Sequence, residues 1–427
     1  MQLNPVGNIT AALAAATLPL TQVHAQETLF EPEWSFDAAF LYYSEGDDRV
    51  DAYEGVLQAT RTNADDQILV LTGTLDVLTG ASPNGAAPQA TPQTFTRPSG
   101  KGEYQVAPGD TPLDDTFKDT RAQINLQWTS PLNRAMGYTT GLHLSKEYDY
   151  LSVGINGGLT RDFNQKNTQL ALGGALFYDT VEPEGGVPVP MSTMAIRKDF
   201  PSEEVFQQAF DATRGGSDDT KTTWDVRASV SQVVNRQLIV QGTLTYAQVE
   251  GYQNDFLKVL SVVDDQGEAR RYLYESRPER RDKWGFYGQA KYHFGPILDL
   301  SYRFMSDDWE VDSHTLDARL RFEFGPHSLE PNLRYYTQSA AEFYQPFLLE
   351  GESPRYASAD YRLGELDTYT LGLKYGYQMT NGQRMAIRLQ WYHQAPQSTG
   401  KTEPGQLKTL ELYPSLNTLM LQTSYHF

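Results

Sequence analysis

Arg319 and Arg321 stand two residues apart, as do Asp317 and Arg319, and Arg384 and Arg388 stand four apart. In an extended chain, residues at even separations share a face, so each set delivers ionic side chains to one surface. The same parity gathers Lys283, Lys291, Arg303, Arg334 and Lys374 with Asp299, Glu323 and Glu330 between residues 281 and 394, making nine cations to four anions. The corresponding positions nearer the amino terminus carry Asp37, Asp76 and Asp225 with Arg121 and Arg227, among much Thr, Ser, Asn, Gln and Gly. If these faces line one water-filled space, a basic wall confronts a neutral or weakly acidic one. Such a wall orders passing solutes and water and favours anions locally. The plainer account is that the ions pair with one another and fill the interior.

Other chemistries find little support. There is no cysteine, which removes disulfides, thiolate metal sites and cysteine nucleophiles. His143, His293, His314, His327, His393 and His426 are scattered, with no Ser or Asp at a spacing known from nucleophilic catalysis. No enzymatic activity and no cofactor are therefore expected. Glu45, Asp47 and Asp48, and Asp307, Asp308 and Glu310, offer oxygen ligands but match no calcium loop, and no metal is expected. A net charge of −19 and a pI near 4.8 argue against nucleic acid, which needs clustered cations.

The elements that position these residues follow from hydrophobic period. From Trp34 onward apolar residues occupy every second position, as in Met385, Ile387, Leu389 and Trp391 or Leu316, Ala318, Leu320 and Phe322. Period two is that of a strand with one apolar face. Sixteen segments result: 33–44, 48–63, 67–79, 118–130, 137–148, 149–163, 166–180, 219–234, 237–251, 281–294, 295–306, 310–325, 326–338, 362–379, 382–394 and 410–427. Every second connection is short, such as Asn235-Arg236, Gly295-Pro296 and Asn381-Gly382, whereas the long ones, near 80–117, 181–218, 252–280, 339–361 and 395–409, share the other parity. No run of about 18 apolar residues suggests a membrane helix, and a sheet in lipid must close to satisfy its backbone. The expectation is all-β: a transmembrane antiparallel up-and-down β-barrel of about 16 strands, with short periplasmic turns and long extracellular loops. Its location would be the cell outer membrane, among outer-membrane lipid and lipopolysaccharide. The ending Tyr425-His426-Phe427 resembles the final strand read by the barrel assembly machinery, so Tyr425 and Phe427 are expected to serve as an assembly signal.

Residues 1–25 read as a secretory leader: Ile9 to Val23 are rich in Ala and Leu, and Val23-His24-Ala25 forms a small-residue cleavage pattern. The usual basic start is missing, since the first Lys or Arg is Arg49. Residues 26–427 would then form one barrel domain. Six prolines make 80–117 an extended loop or lid rather than a helix. In SEEVFQQAFDATRGG (202–216), Ser202 can cap a short amphipathic helix, Val205, Phe206, Ala209 and Phe210 share its apolar face, and Gly215 ends it. That face would pack on the rim or narrow the lumen. Most of the acidity falls on the long connections, where solvated loops are the simple reading.

The stretches YYSEGDDRVDAYEG (42–55), TGASPNG (79–85) and EYDYLSVGINGGLTRDFNQKNTQLALGG (147–174) resemble a proteobacterial outer-membrane group, the domain of unknown function 3570 family. The resemblance implies a β-barrel of undefined activity, often encoded beside small lipoproteins and flavin-attaching enzymes. It supplies no catalytic residues. Two functions follow. One is a porin-like channel for small solutes, lined by Lys291, Arg303, Arg319, Arg321, Arg334, Arg388, Asp299, Asp317, Glu323 and Glu330. The other is a scaffold or sheath whose lumen holds a periplasmic lipoprotein or redox partner in secretion or electron transfer.

Overall fold

The computed structural model describes residues 33–427 apart from Asp48, so the expected leader at 1–25 lies outside the described residues. Sixteen antiparallel strands form a closed barrel. They are β1 (Glu33–Glu45), β2 (Val50–Thr62), β3 (Ile68–Pro83), β4 (Leu113–Asn133), β5 (Met136–Lys146), β6 (Tyr150–Phe163), β7 (Thr168–Val181) and β8 (Asp219–Val233). The second half comprises β9 (Leu238–Gly251), β10 (Arg280–His293), β11 (Ile297–Asp307), β12 (Asp312–Phe324), β13 (His327–Gln338), β14 (Leu366–Gln378), β15 (Arg384–Pro396) and β16 (Leu416–His426). Each pairs with its chain neighbour, and β1 closes on β16 with Asp37 opposite His426. Closure leaves no edge strand to template aggregation. At the short turns the chain reverses through left-handed backbone: Gly295 (φ 112°) and Gly382 (φ 89°) have open space around them and adopt this conformation without Cβ strain.

The outer surface has three bands. Its middle is aliphatic and exposed, as at Leu57 (68%), Leu172 (64%) and Leu371 (51%). Toward the short turns stand Trp34, Phe163, Phe294, Phe324 and Phe427, and toward the long loops Tyr53, Tyr178, Trp224, Trp284 and Trp391, all exposed. Neighbouring strands align the second group, with ring centroids 5.3 Å apart for Trp224 and Tyr246 and 4.7 Å for Tyr246 and Trp284. An apolar belt between two aromatic girdles matches a bilayer and its two interfaces. Bacterial barrels place short turns in the periplasm, which puts the long loops outside.

The densely buried core belongs to those loops. Eleven of the twelve largest fully buried side chains lie in them, Phe95, Phe210, Phe347 and Leu407 included. Residues 84–112 supply a hairpin, Gln93–Thr96 with Glu103–Val106. Residues 252–279 and 339–365 build a small sheet from Ala269–Tyr274, Val259–Val263 and Leu348–Leu349. Helix α1 (Glu203–Asp211) comes from 182–218. Apolar clusters cross between loops: Phe95 and Tyr104 pack with Met194, Val259 and Tyr272, while Ala87, Val263, Phe347 and Leu407 form another group. These five loops rise from β3/β4, β7/β8, β9/β10, β13/β14 and β15/β16, points spread around the rim. One packed body tethered at all five therefore spans the outer mouth.

Candidate functional site: the charged lumen and its cap

Strand alternation fixes the inward set. Leu300, Leu316, Leu333 and Leu371 are about half exposed on the outside, so Asp299, Arg303, Asp317, Arg319, Arg321, Glu323, Glu330, Arg334, Lys374 and Arg388 occupy the opposite face. Most of the ions form short ladders. Asp317 joins Arg319 and Arg334, each at 2.9 Å; Arg321 meets Glu323 at 3.1 Å; Arg388 reaches Glu330 at 3.4 Å; and Lys291 lies 3.5 Å from Asp299. Arg303 instead lies 5.6 Å from the Tyr287 ring centroid. Pro331, between Glu330 and Asn332, has no ladder donor, and the pairing of β12 with β13 skips Leu320 and Arg321 there. The acidic half also pairs: Arg121 Nε donates to Asp76 at 2.8 Å. The lumen thus holds both a network of paired ions and a surplus of positive charge on one wall.

At the short-turn end these strands surround a cavity of about 390 Å³ whose lining includes Asp37, Arg321, Glu330, Lys374, Arg384 and His426. His426 Nδ1 lies 2.8 Å from Asp37 Oδ1 across the closing seam, a pairing of residues 389 apart that no local spacing signals. Phe427 continues the seam, donating its N–H to Phe36 O at 2.8 Å and packing its ring on Tyr425 at 4.7 Å.

The cap hides a second ionic cluster that sequence reading missed. Arg277 sits 2.7 Å from Glu275 and 2.9 Å from Asp360, and Arg362 sits 2.7 Å from Asp255 and 2.5 Å from Asp360. Lys258 donates to the Pro83 carbonyl at the end of β3, tying this cluster to the barrel, and Ser358 Oγ donates to Glu275 at 2.5 Å. Lys258 and Asp360 are each 1% exposed. Burial alone would raise the Asp360 carboxyl, but Arg362 and Arg277 overcome it and hold it well below the usual carboxylate range. Burial raises Glu275 despite Arg277 beside it.

Helix α1 begins as expected, with Ser202 Oγ accepting from Val205 N–H at 3.3 Å. It ends at Asp211 rather than at Gly215, and Phe206 and Phe210 are buried whereas Val205 is 41% exposed. Its apolar face packs on Ala195 and Phe200 of its own loop, and the Phe210 ring lies against Gly100 of the 84–112 loop. The 80–117 loop is extended as expected, but as a hairpin packed into the cap. Two of the acidic tip residues engage protein partners: Asp307 accepts from Arg281 Nε at 2.8 Å, and Glu45 accepts from Tyr43 at 2.7 Å.

The family described as Protein of unknown function (DUF3570) matches residues 10–427. The chain belongs to that family. No curated protein matches this DUF3570 barrel in sequence. Among solved structures, CdiB from Acinetobacter baumannii is 9% identical with a TM-score of 0.42, covering 92% of this chain and 60% of its own. OccD3 (OpdP) of Pseudomonas aeruginosa is 9% identical with a TM-score of 0.42, covering 93% and 92%. OccK2 (OpdF) of Pseudomonas aeruginosa, solved with glucuronate, is 11% identical with a TM-score of 0.41, covering 94% and 99%. This DUF3570 protein is an outer-membrane β-barrel, as its banded surface requires.

Proposed function

We propose that the barrel is a porin-like channel for small solutes, closed at its outer mouth by its own loops until the cap shifts. The carrying observation is the ionic and polar inward face of a sixteen-strand barrel, a size that leaves water inside. In this reading the protein performs no catalysis, and Lys291, Arg303, Arg319, Arg321, Arg334 and Arg388 with Asp299, Asp317, Glu323 and Glu330 line the path. Tyr425 and Phe427 serve assembly. The test is conductance in a planar bilayer, comparing native protein with a barrel whose cap is loosened by Asp360→Asn. Rare openings in the first and frequent ones in the second support the channel; silence in both defeats it.

A second reading has its own motive. The cap spans the outer mouth while the cavity lies at the short-turn end, an arrangement suited to a barrel that receives a periplasmic lipoprotein or redox partner. Co-purification of one stoichiometric partner with an electrically silent barrel would favour it.

A further inference from the structure

The wall of β11 to β15 carries more cations than its carboxylates neutralise. Asp317 is already shared by Arg319 and Arg334, and Glu330 is engaged by Arg388. The sheet register sets Lys374 directly opposite Arg388 on one side and opposite Glu330 on the other. Among the described residues, no carboxylate lies within 4.0 Å of the Lys374 ammonium or of the Arg303 guanidinium. Like charges directly across adjoining strands repel, and a low local dielectric magnifies the cost. Arg388 Nε is also buried without a hydrogen-bond partner, an unmade bond that needs an acceptor. The belt borders the 390 Å³ cavity, which Lys374, Arg321 and Arg384 line together with Asp37, Glu323 and Glu330, while Arg319 and Arg388 stand behind it. That volume lies toward the lower end of the roughly 300–1,000 Å³ typical of ligand pockets.

We propose that this belt binds a small organic anion through carboxylate or phosphate oxygens, seated between Lys374 and Arg388 and flanked by Arg319 and Arg321. The anion supplies the negative charge that Glu330 and Asp317, already engaged by Arg388, Arg319 and Arg334, leave unmatched. Its oxygens meet the ammonium as a point charge and the guanidinium fork in its plane, the geometry that favours such ligands over chloride. With the cap across the outer mouth, access is from the short-turn side, where Arg384 lines the cavity and draws anions inward. This deepens the channel reading by naming the class of solute, but the site stands on static geometry, so binding is measured without reference to current.

The folded barrel in neutral detergent is titrated calorimetrically with succinate, with inorganic phosphate and with butanediol, an uncharged counterpart of succinate. Binding of either anion at one site per barrel is expected, weakened about tenfold or more by Lys374→Gln and by Arg388→Gln, the loss of one charged contact. Lys374→Arg retains it, and butanediol gives no heat. Succinate binding alone identifies a carboxylate ligand and phosphate binding alone a phosphate ligand; each supports the site. Heat-modifiable migration on a gel establishes that each variant is folded. If Arg388→Gln does not fold, Lys374→Gln decides: it should be at least as stable as the native barrel without anion, because repulsion is relieved, and should gain nothing from succinate or phosphate. No binding of either anion, or native-strength binding by Lys374→Gln, overturns the proposal. A barrel that binds succinate yet passes no current in a bilayer, either as the native protein or with its cap loosened by Asp360→Asn, refutes the channel and leaves the site standing.

Discussion

Replacing Asp360 by Asn tests whether the cap is a single locked body. Asp360 is 1% exposed and touches Arg277 at 2.9 Å and Arg362 at 2.5 Å. Removing one partner of a buried ion pair costs about 3–5 kcal/mol, because the remaining charge is left uncompensated. Here each arginine keeps a second carboxylate, Glu275 or Asp255, both at 2.7 Å, so the lower end, about 3 kcal/mol, is expected. At roughly 1.4 kcal/mol per factor of ten, the ratio of closed to opened cap falls on the order of a hundredfold. The assay is cleavage by external protease at Pro92 or Gly185 in intact cells, read beside heat-modifiable migration of the barrel. Much faster cleavage with an unchanged barrel is the expected result. Cleavage at the native rate would show that the Asp360 contacts do not hold the loops together, and loss of the folded band would show that cap and barrel are one cooperative unit.

Leu371→Arg, on the aliphatic band, should destabilise the folded barrel by about 2–4 kcal/mol near the midplane, whereas Gln390→Arg, facing inward, should not carry that lipid penalty; equal losses in urea titrations in lipid would mean the faces are exchanged. Acidification should leave the cap intact down to the ordinary Asp range near pH 4. Asp360 is depressed in the folded state, so its contribution is present above the unfolded pKa, about 3.9, and is lost only as pH falls below it toward the folded value, while Glu275, raised in the folded state, gains stability as pH falls. Protease protection that fades between pH 7 and 5 would contradict both directions. Phe427→Ala should increase the fraction of unassembled chain in the envelope, scored by the heat-modifiable band, and native assembly would remove Phe427 from that role.

The barrel was legible in the sequence because period two survives wherever one face meets lipid: Met385, Ile387, Leu389 and Trp391 stand out against Arg384, Arg388 and Gln390. Strand ends were less so. Leu113–Asn133 runs past the expected 118–130 at both ends, since pairing continues beyond the apolar band where alternation no longer marks it, while the last strand begins at Leu416 instead of 410 because Leu410 and Leu412 pack into the cap. The cap was hidden for the opposite reason. Val259-Leu260-Ser261-Val262-Val263 is buried on both faces, a short run that periodicity cannot classify, and Asp255, Lys258, Glu275 and Arg277 read as solvated loop charges because their partners at 360 and 362 are distant in sequence. Val205 misled for a local reason: helical phase puts Phe206, Ala209 and Phe210 together and turns it away.

The convergence of five loops on one core also orders events during biogenesis. The hydrogen bond from Ala90 N–H to Gln406 Oε1 spans 316 residues, and that from Ala87 N–H to Ser261 Oγ spans 174. Contacts so far apart along the chain form late, after the entropy of the intervening segments has been reduced by other structure. Pairing of β1 with β16 is what reduces it here, by bringing the distant loop ends to a common rim. The cap is therefore expected to be the last part of the protein to acquire exchange protection in a pulse-labelling experiment, and loops protected before the barrel strands would contradict this order.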